Sequence, residues 1–135
     1  MPRKYPTTSP SDDPVKITRE IERGLPVSHV LRFQKQSHLP LESLAYAIQV
    51  PVRTLRRRLS QPRLRADESD RLYRFASLFT KVLELFDGDT RAAQNWLQSP
   101  APAFSGHTPL SLTRTYPGIR AVEDLVGQLE HGVFP

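Results

Sequence analysis

A run of arginines stands in the middle of the chain, between residues 51 and 65. This window holds six arginines and no acidic residue, so its charge is +6. A guanidinium group can fork onto a phosphate or onto the O6 and N7 atoms of guanine, which suits the cluster to nucleic acid. A solvated helix face is the alternative interpretation of the same charge. The arginines are Arg53, Arg56, Arg57, Arg58, Arg63 and Arg65.

The last fifteen residues carry the opposite charge. They contain Glu123, Asp124 and Glu130 but neither lysine nor arginine, so this window has a charge of −3. Residues 123 and 130 are seven positions apart, which places them near the same face of a helix. Opposite charges in the middle and at the end of the chain predict two different partners.

Other side-chain patterns that could do chemistry are missing from the sequence. The four histidines show no pair at helical spacing, so no metal site is predicted. The chain has no cysteine and no glycine-rich phosphate loop. Ser105, His107, Ser111 and Asp124 do not form a recognisable triad. We therefore expect neither an enzyme nor a cofactor.

The segment 41–59 is predicted to form two helices joined by a turn, and this frame positions the arginines. Leu41, Leu44, Ala45 and Ile48 mark one face of a first helix, and Pro51 opens a second after a tight turn. This arrangement is typical of a helix-turn-helix, whose second helix lies in the major groove of DNA. A glycine is common in that turn. This chain has Gln49, for which a left-handed backbone costs about 1 kcal/mol, so an irregular turn is expected.

A role for each arginine is predicted from its position on or after the second helix. Arg53 and Arg57 share a face with Thr54 and are predicted to contact bases. The remaining arginines are predicted to contact phosphates. These are Arg56, Arg58, Arg63 and Arg65.

Helical spacing of apolar residues extends along the whole chain, and no strand alternation is found, so the fold class is all-α. Asp13 and Thr108 are predicted helix caps. Phe75, Phe79, Phe86 and Trp96 are expected to lie in the core, although part of the long helix that carries the phenylalanines could instead form a dimer interface. The expected helices begin near Pro14, Pro26, Pro40, Pro51, Asp67, Thr90, Leu110 and, after a turn at Pro117-Gly118, Ile119.

The 135 residues are 38% hydrophobic and have a net charge of +5. No apolar run approaches the ~18–20 residues of a membrane span, and no signal peptide is evident, so a cytoplasmic protein without membrane contact is expected. We predict a disordered, proline-rich arm over 1–14, a helix-turn-helix region over 15–66 and a second helical domain over 67–135.

Three stretches of the sequence together resemble a known family. They are Asp67-Glu-Ser-Asp-Arg-Leu72, Gly106-His-Thr-Pro-Leu110 and the terminal block Arg120-Ala-Val-Glu-Asp-Leu-Val-Gly-Gln-Leu-Glu-His-Gly-Val-Phe134, together with Ala92, Trp96 and Leu97. With them, residues 25 to 135 are similar to antitoxins of the Xre/MbcA/ParS group.

The resemblance implies an all-helical homodimer that blocks the NAD⁺ pocket of a RES-domain toxin and represses its own operon by binding operator DNA. It implies a toxin-binding domain over 67–135, with the terminal block nearest the toxin's active site. Val133 and Phe134 could anchor that interface, or Phe134 could fold back onto the protein's own core. The implied toxin-binding residues are Arg120, Glu123, Asp124, Gly127, Glu130, His131, Gly132, Val133, Phe134 and Pro135.

The sequence departs from the family pattern at three places, which are expected to affect the choice of toxin. They are His107, Ser111 and Tyr116-Pro117. Two other functions stay open at this point. One is a stand-alone transcription regulator whose C-terminal helices dimerise, and the other is an adaptor for an unrelated protein.

Overall fold

The computed structural model describes residues 13–132, and this part of the chain contains helices and no strand. An isolated bridge joins Pro26 and Arg63. The α-helices are α1 (Pro14–Arg23), α2 (Val27–Ser37), α3 (Leu41–Ile48), α4 (Val52–Arg58), α5 (Ala66–Leu85), α6 (Thr90–Gln98), α7 (Pro109–Leu112) and α8 (Tyr116–Glu130), with a 3₁₀ turn over Pro102–Phe104. The predicted all-α class is confirmed.

Short polar side chains cap the starts of several helices. The side chain of Asp13 accepts a hydrogen bond from the Val15 amide at 2.9 Å, and Thr108 accepts one from Ser111 at 3.1 Å. Each bond satisfies an amide that has no partner inside its helix. Both predicted caps are thereby confirmed. Asp89 caps α6 in the same way.

The start of α8 differs from its prediction. Pro117-Gly118 was expected to form a turn before a helix at Ile119, but both residues lie inside the first turn of α8. Thr115 provides the cap, since its hydroxyl accepts the Gly118 amide at 3.0 Å. Proline is tolerated there because a first-turn amide has no helical partner. A Cβ on Gly118 would lie 1.9 Å from the Leu112 carbonyl oxygen, so the glycine serves close packing.

The chain divides into two compact units, one ending at Ser77 and the other beginning at Leu78. The sequence placed this division at 66–67, where α5 begins. The difference arises because the first part of α5 belongs to the core of the N-terminal unit. There Phe75 packs edge-on against Phe33 of α2, with ring centroids 6.0 Å apart.

Each unit has its own apolar core. In the N-terminal unit the helices α2 to α5 bury Val30, Phe33, Leu44, Ile48, Leu55, Leu72 and Phe75. In the C-terminal unit the buried residues include Leu78, Phe79, Val82, Ala93, Leu97, Ile119, Val122 and Val126. The apolar stripe of α5 is buried within the chain, which confirms Phe75 and Phe79 as core residues. Phe86 and Trp96 are half-buried.

Two candidate interaction surfaces

The turn between α3 and α4 is regular. Gln49 adopts the left-handed conformation with φ 65° and ψ 42°, and its amide donates to the carbonyls of Ala45 and Tyr46. The Val50 amide also donates to Ala45 at 3.0 Å. The expected irregular turn was therefore wrong, because these bonds hold the glutamine in a conformation that glycine adopts more easily.

The first candidate surface is the outer face of α4. Leu55 is fully buried and fixes the helix to the core, while Arg53, Arg56 and Arg57 are exposed and Thr54 is half-buried. Arg56 lies 3.9 Å from Glu42 of α3, and both side chains are more than 60% exposed. Such exposed pairs contribute little and can be exchanged for a phosphate contact.

Arg58 does not share this exposure. The sequence assigned it to phosphate contact, whereas the structure gives its guanidinium to Glu68, with Nε 2.9 Å from Oε1 and 3.2 Å from Oε2. The two side chains are 13% and 3% exposed. The hydrogen bond to Glu68 raises the pKa of Arg58 further, so the guanidinium stays charged. Arg58 thus joins α4 to α5.

Glu68 is a residue that the sequence interpretation missed as a determinant of the first surface. Its Oε1 also accepts the Arg65 amide at 2.9 Å, so one carboxylate caps α5 and holds α4. The local signal was present, because an acidic residue in the first turn that reaches back to the helix start is a known capping pattern. Its pairing with Arg58, ten residues earlier, had no local signal.

Arg63 and Arg65 follow α4 and are exposed. Arg63 donates from Nη1 to the Gly24 carbonyl at 2.7 Å, and Arg65 lies 3.5 Å from Asp67. Each contact uses only part of the guanidinium group and leaves other nitrogens for a ligand. The structure therefore brings the predicted phosphate contacts Arg63 and Arg65 to the end of α4, close to the start of α5.

The second candidate surface is the exposed face of α8. Tyr116, Arg120 and Asp124 recur every four residues on this face and are all exposed. Arg120 donates from Nη1 to the Tyr116 hydroxyl at 2.9 Å, and its guanidinium lies 5.8 Å from the centre of the tyrosine ring. The hydrogen bond to Tyr116 raises the pKa of Arg120. The sequence interpretation named Tyr116 as a departure from the family pattern but did not include it among the toxin-binding residues; in the structure it is 56% exposed.

Other predicted residues of the C-terminal surface are spread around α8. Glu123 is half-buried and pairs with Lys81 of α5 at 3.1 Å, so its charge serves the unit itself. Gly127 is half-buried, whereas Glu130, His131 and Gly132 are exposed at the end of the helix. The predicted residues Val133, Phe134 and Pro135 lie outside the described residues.

Two features that other functions would require are missing from the described part of the chain. No group of three or more potential ligands capable of holding a metal ion occurs between residues 13 and 132. Within the same range, no helix combines the length and the apolar character that crossing a membrane requires.

A helix-turn-helix unit with an arginine-rich second helix, followed by a separate helical unit, defines a class of two-part regulatory proteins. Comparison with known families agrees for each part. Residues 16–77 match the antitoxin Xre-like helix-turn-helix domain, and residues 81–132 match the antitoxin Xre/MbcA/ParS C-terminal toxin-binding domain. The chain belongs to the Xre antitoxin family, as the resemblance implied.

Three curated relatives share the name Antitoxin Xre. The protein from Yersinia enterocolitica is 33% identical over 119 residues, which cover 87% of this chain and 80% of the relative. The protein from Photorhabdus laumondii is 30% identical and covers 92% and 84%. The protein from Pseudomonas putida is 38% identical over 84 residues, or 62% and 52%. Antitoxins of this family are not enzymes.

Proposed function

We propose that this protein neutralises a RES-domain toxin by covering its NAD⁺ pocket and represses its own operon by binding operator DNA. The observation that carries the proposal is the separation of two exposed surfaces onto two units, α4 on one and α8 on the other. Each unit also matches a family domain of the corresponding kind. We further propose that the protein acts in the cytoplasm.

The proposed toxin contact uses the exposed face and the end of α8. A pocket that holds the pyrophosphate of NAD⁺ must be electropositive, so exposed acids suit it. Asp124 and Glu130 are exposed, whereas Glu123 is engaged by Lys81. Arg120, held by Tyr116, adds a polar group whose position is set before binding, which lowers the entropy cost of the contact. We include residues 131–135 as the continuation of this contact.

The proposed DNA contact uses the exposed arginines of the first surface. Arg53 and Arg57, with Thr54, face the bases, and Arg56, Arg63 and Arg65 face phosphates; Arg58 is left out because Glu68 binds it. We propose a homodimer for this step, since two-fold operators are commonly bound by two-fold proteins.

The proposed toxin binding is tested by co-expression with the product of the neighbouring reading frame, followed by co-purification and an NAD⁺ assay. The full chain should co-purify with the toxin and restore cellular NAD⁺. A chain lacking residues 130–135 should lose neutralisation but keep its helical circular dichroism and its DNA binding. Neutralisation by the truncated chain would refute the proposal that the end of α8 covers the NAD⁺ pocket, and the absence of any partner would favour a stand-alone regulator.

The proposed DNA binding is tested with a variant that combines the charge reversals Arg53→Glu and Arg57→Glu. This variant should lose operator binding by at least about 30-fold, because each of the two contacts between arginine and guanine contributes about 1–3 kcal/mol of discrimination. It should still bind the toxin. Operator binding that survives the reversal would refute the assignment of α4 as the recognition helix.

A further inference from the structure

Helix α1 carries a row of cations that neither proposed surface includes. Lys16, Arg19 and Arg23 follow one another at intervals of three and four, which places them within about 60° of one another around the helix. All three are exposed. The acidic residues of α1 lie to either side of the row, and Glu20 is half-buried close to His29 of α2.

Helix α1 contributes little to the core of the N-terminal unit. α1 buries no residue, although Ile17 and Ile21 on its inner side are half-buried. A helix that adds little to a core but presents three cations on one face has the character of a binding element. Its charge is complementary to an anionic surface larger than a single ion.

The end of α1 is fixed to the segment that leaves α4. The Val27 amide donates to the Pro62 carbonyl at 3.1 Å, and the Leu64 amide donates to the Leu25 carbonyl at 2.9 Å. The side chain of Arg63 completes the junction through the Gly24 carbonyl.

Gly24 allows this close approach. It has φ 94°, and a Cβ there would lie 2.2 Å from the Leu64 carbonyl oxygen. A larger residue would therefore push the two segments apart. The last turn of α1, with Arg23, is consequently held beside residues 62–64.

The dimensions of DNA relate this junction to the proposed recognition surface on α4. α4 has seven residues and is therefore about 10 Å long, close to the ~12 Å width of the major groove. With α4 in the groove, as proposed above, the chain that follows this short helix runs toward the phosphates at the groove's edge. Residues 62–64 are that chain, and the end of α1 is attached to them.

We infer that α1 is a phosphate-binding extension of the recognition surface, in which Lys16, Arg19 and Arg23 contact the DNA backbone beside the groove that α4 enters. The inference rests on the proposed DNA-binding function. Contacts to phosphate carry no sequence information, so α1 strengthens binding to every duplex equally. The base contacts of α4 supply the discrimination.

The test is the salt dependence of binding by the full chain. The row variant combines Lys16→Gln, Arg19→Gln and Arg23→Gln, which keep good helix formers in an exposed helix. The control variant combines Lys35→Gln, Arg91→Gln and Arg114→Gln and removes the same charge from other exposed positions. The probes are a duplex from the region upstream of the gene and a scrambled duplex of equal length. Circular dichroism and the melting temperature verify the fold of both variants.

Each lost phosphate contact flattens the plot of log K against log salt by about 0.9. The row variant should therefore flatten the slope by about two to three on both duplexes and leave the ratio of their affinities unchanged. The control variant should change the slope by less than one. Equal slopes for the two variants would overturn the inference.

The two proposals fail in different ways. If the wild-type protein does not prefer the upstream duplex, the proposed operator binding fails there, while the slope on the scrambled duplex still decides the role of α1. If the Arg53→Glu, Arg57→Glu variant loses the preference but the row variant has the wild-type slope, operator binding stands and the inference on α1 fails. A protein that binds neither duplex overturns both.

Discussion

The two units of this protein stabilise their surface helices by different means. In the N-terminal unit, α4 is joined to α5 by the nearly buried pair of Arg58 and Glu68. The buried hydroxyl of Ser69 also accepts the Leu25 amide at 2.8 Å and donates to the Arg65 carbonyl. In the C-terminal unit, α8 is held by apolar side chains, by the Thr115 cap and by the close approach of Gly118 to Leu112.

This difference determines how each unit presents its surface helix, α4 or α8. A buried ion pair is directional and costs much when one partner is lost, so it fixes the position of α4 relative to α5. Apolar packing, the Thr115 cap and the pair of Glu123 with Lys81 hold α8 without using Arg120 or Asp124 of its outer face. As a result, the side chains of Tyr116, Arg120 and Asp124 remain at the surface of α8.

The largest expected effect comes from breaking the ion pair. Arg58→Ala leaves the carboxylate of Glu68 buried without its cation, which should lower the free energy of unfolding by about 3 kcal/mol or more. Arg57→Ala, on the same helix, should change it by less than about 0.5 kcal/mol because Arg57 is exposed. Urea unfolding followed by circular dichroism measures both.

A double variant separates charge from fold in this experiment. Arg58→Met combined with Glu68→Gln removes both charges and keeps an acceptor for the Arg65 amide. It should recover most of the stability lost in Arg58→Ala. Equal stability of Arg57→Ala and Arg58→Ala would contradict the structural role of the pair.

The packing of α8 is tested by two glycines in one helix. Gly118→Ala places a methyl group against the Leu112 carbonyl oxygen, which should destabilise the protein by about 1–3 kcal/mol. Gly127→Ala meets no atom within 4 Å and should stabilise the helix by roughly 0.5–1 kcal/mol. Thermal unfolding compares the two variants, and a tolerated Gly118→Ala would show that the approach of α7 to α8 is not tight.

The smallest expected effect is a pH dependence in the N-terminal unit. Burial lowers the pKa of His29 below its ordinary value of 6.5, with a further contribution from Arg32, while Glu20 opposes the shift. The unfolded chain then binds this proton more readily, so stability should fall slightly as the pH drops below 6.5 and recover above it. Melting temperatures at pH 5 and pH 7.5 should differ less in His29→Gln than in the wild type; an unchanged difference would exclude His29 as the cause.

Local patterns predicted much of the fold. The apolar face of α3 and the caps at Asp13 and Thr108 each depend on residues within one or two turns of the chain. Pro117-Gly118 misled the prediction because the same dipeptide suits a turn and the first turn of a capped helix. Its placement was decided by Thr115 and by the contact with Leu112.

The candidate surfaces were predictable as regions but not residue by residue. The sequence by itself determined the all-α class, the helix-turn-helix frame and the concentration of arginine on α4, because helical spacing and charge are local properties. The tertiary structure decided which arginines remain at the surface. Arg58 meets Glu68 ten residues away, and the Leu25 amide meets Ser69 at a separation of 44. Such pairings depend on how the helices pack, and no local pattern encodes them.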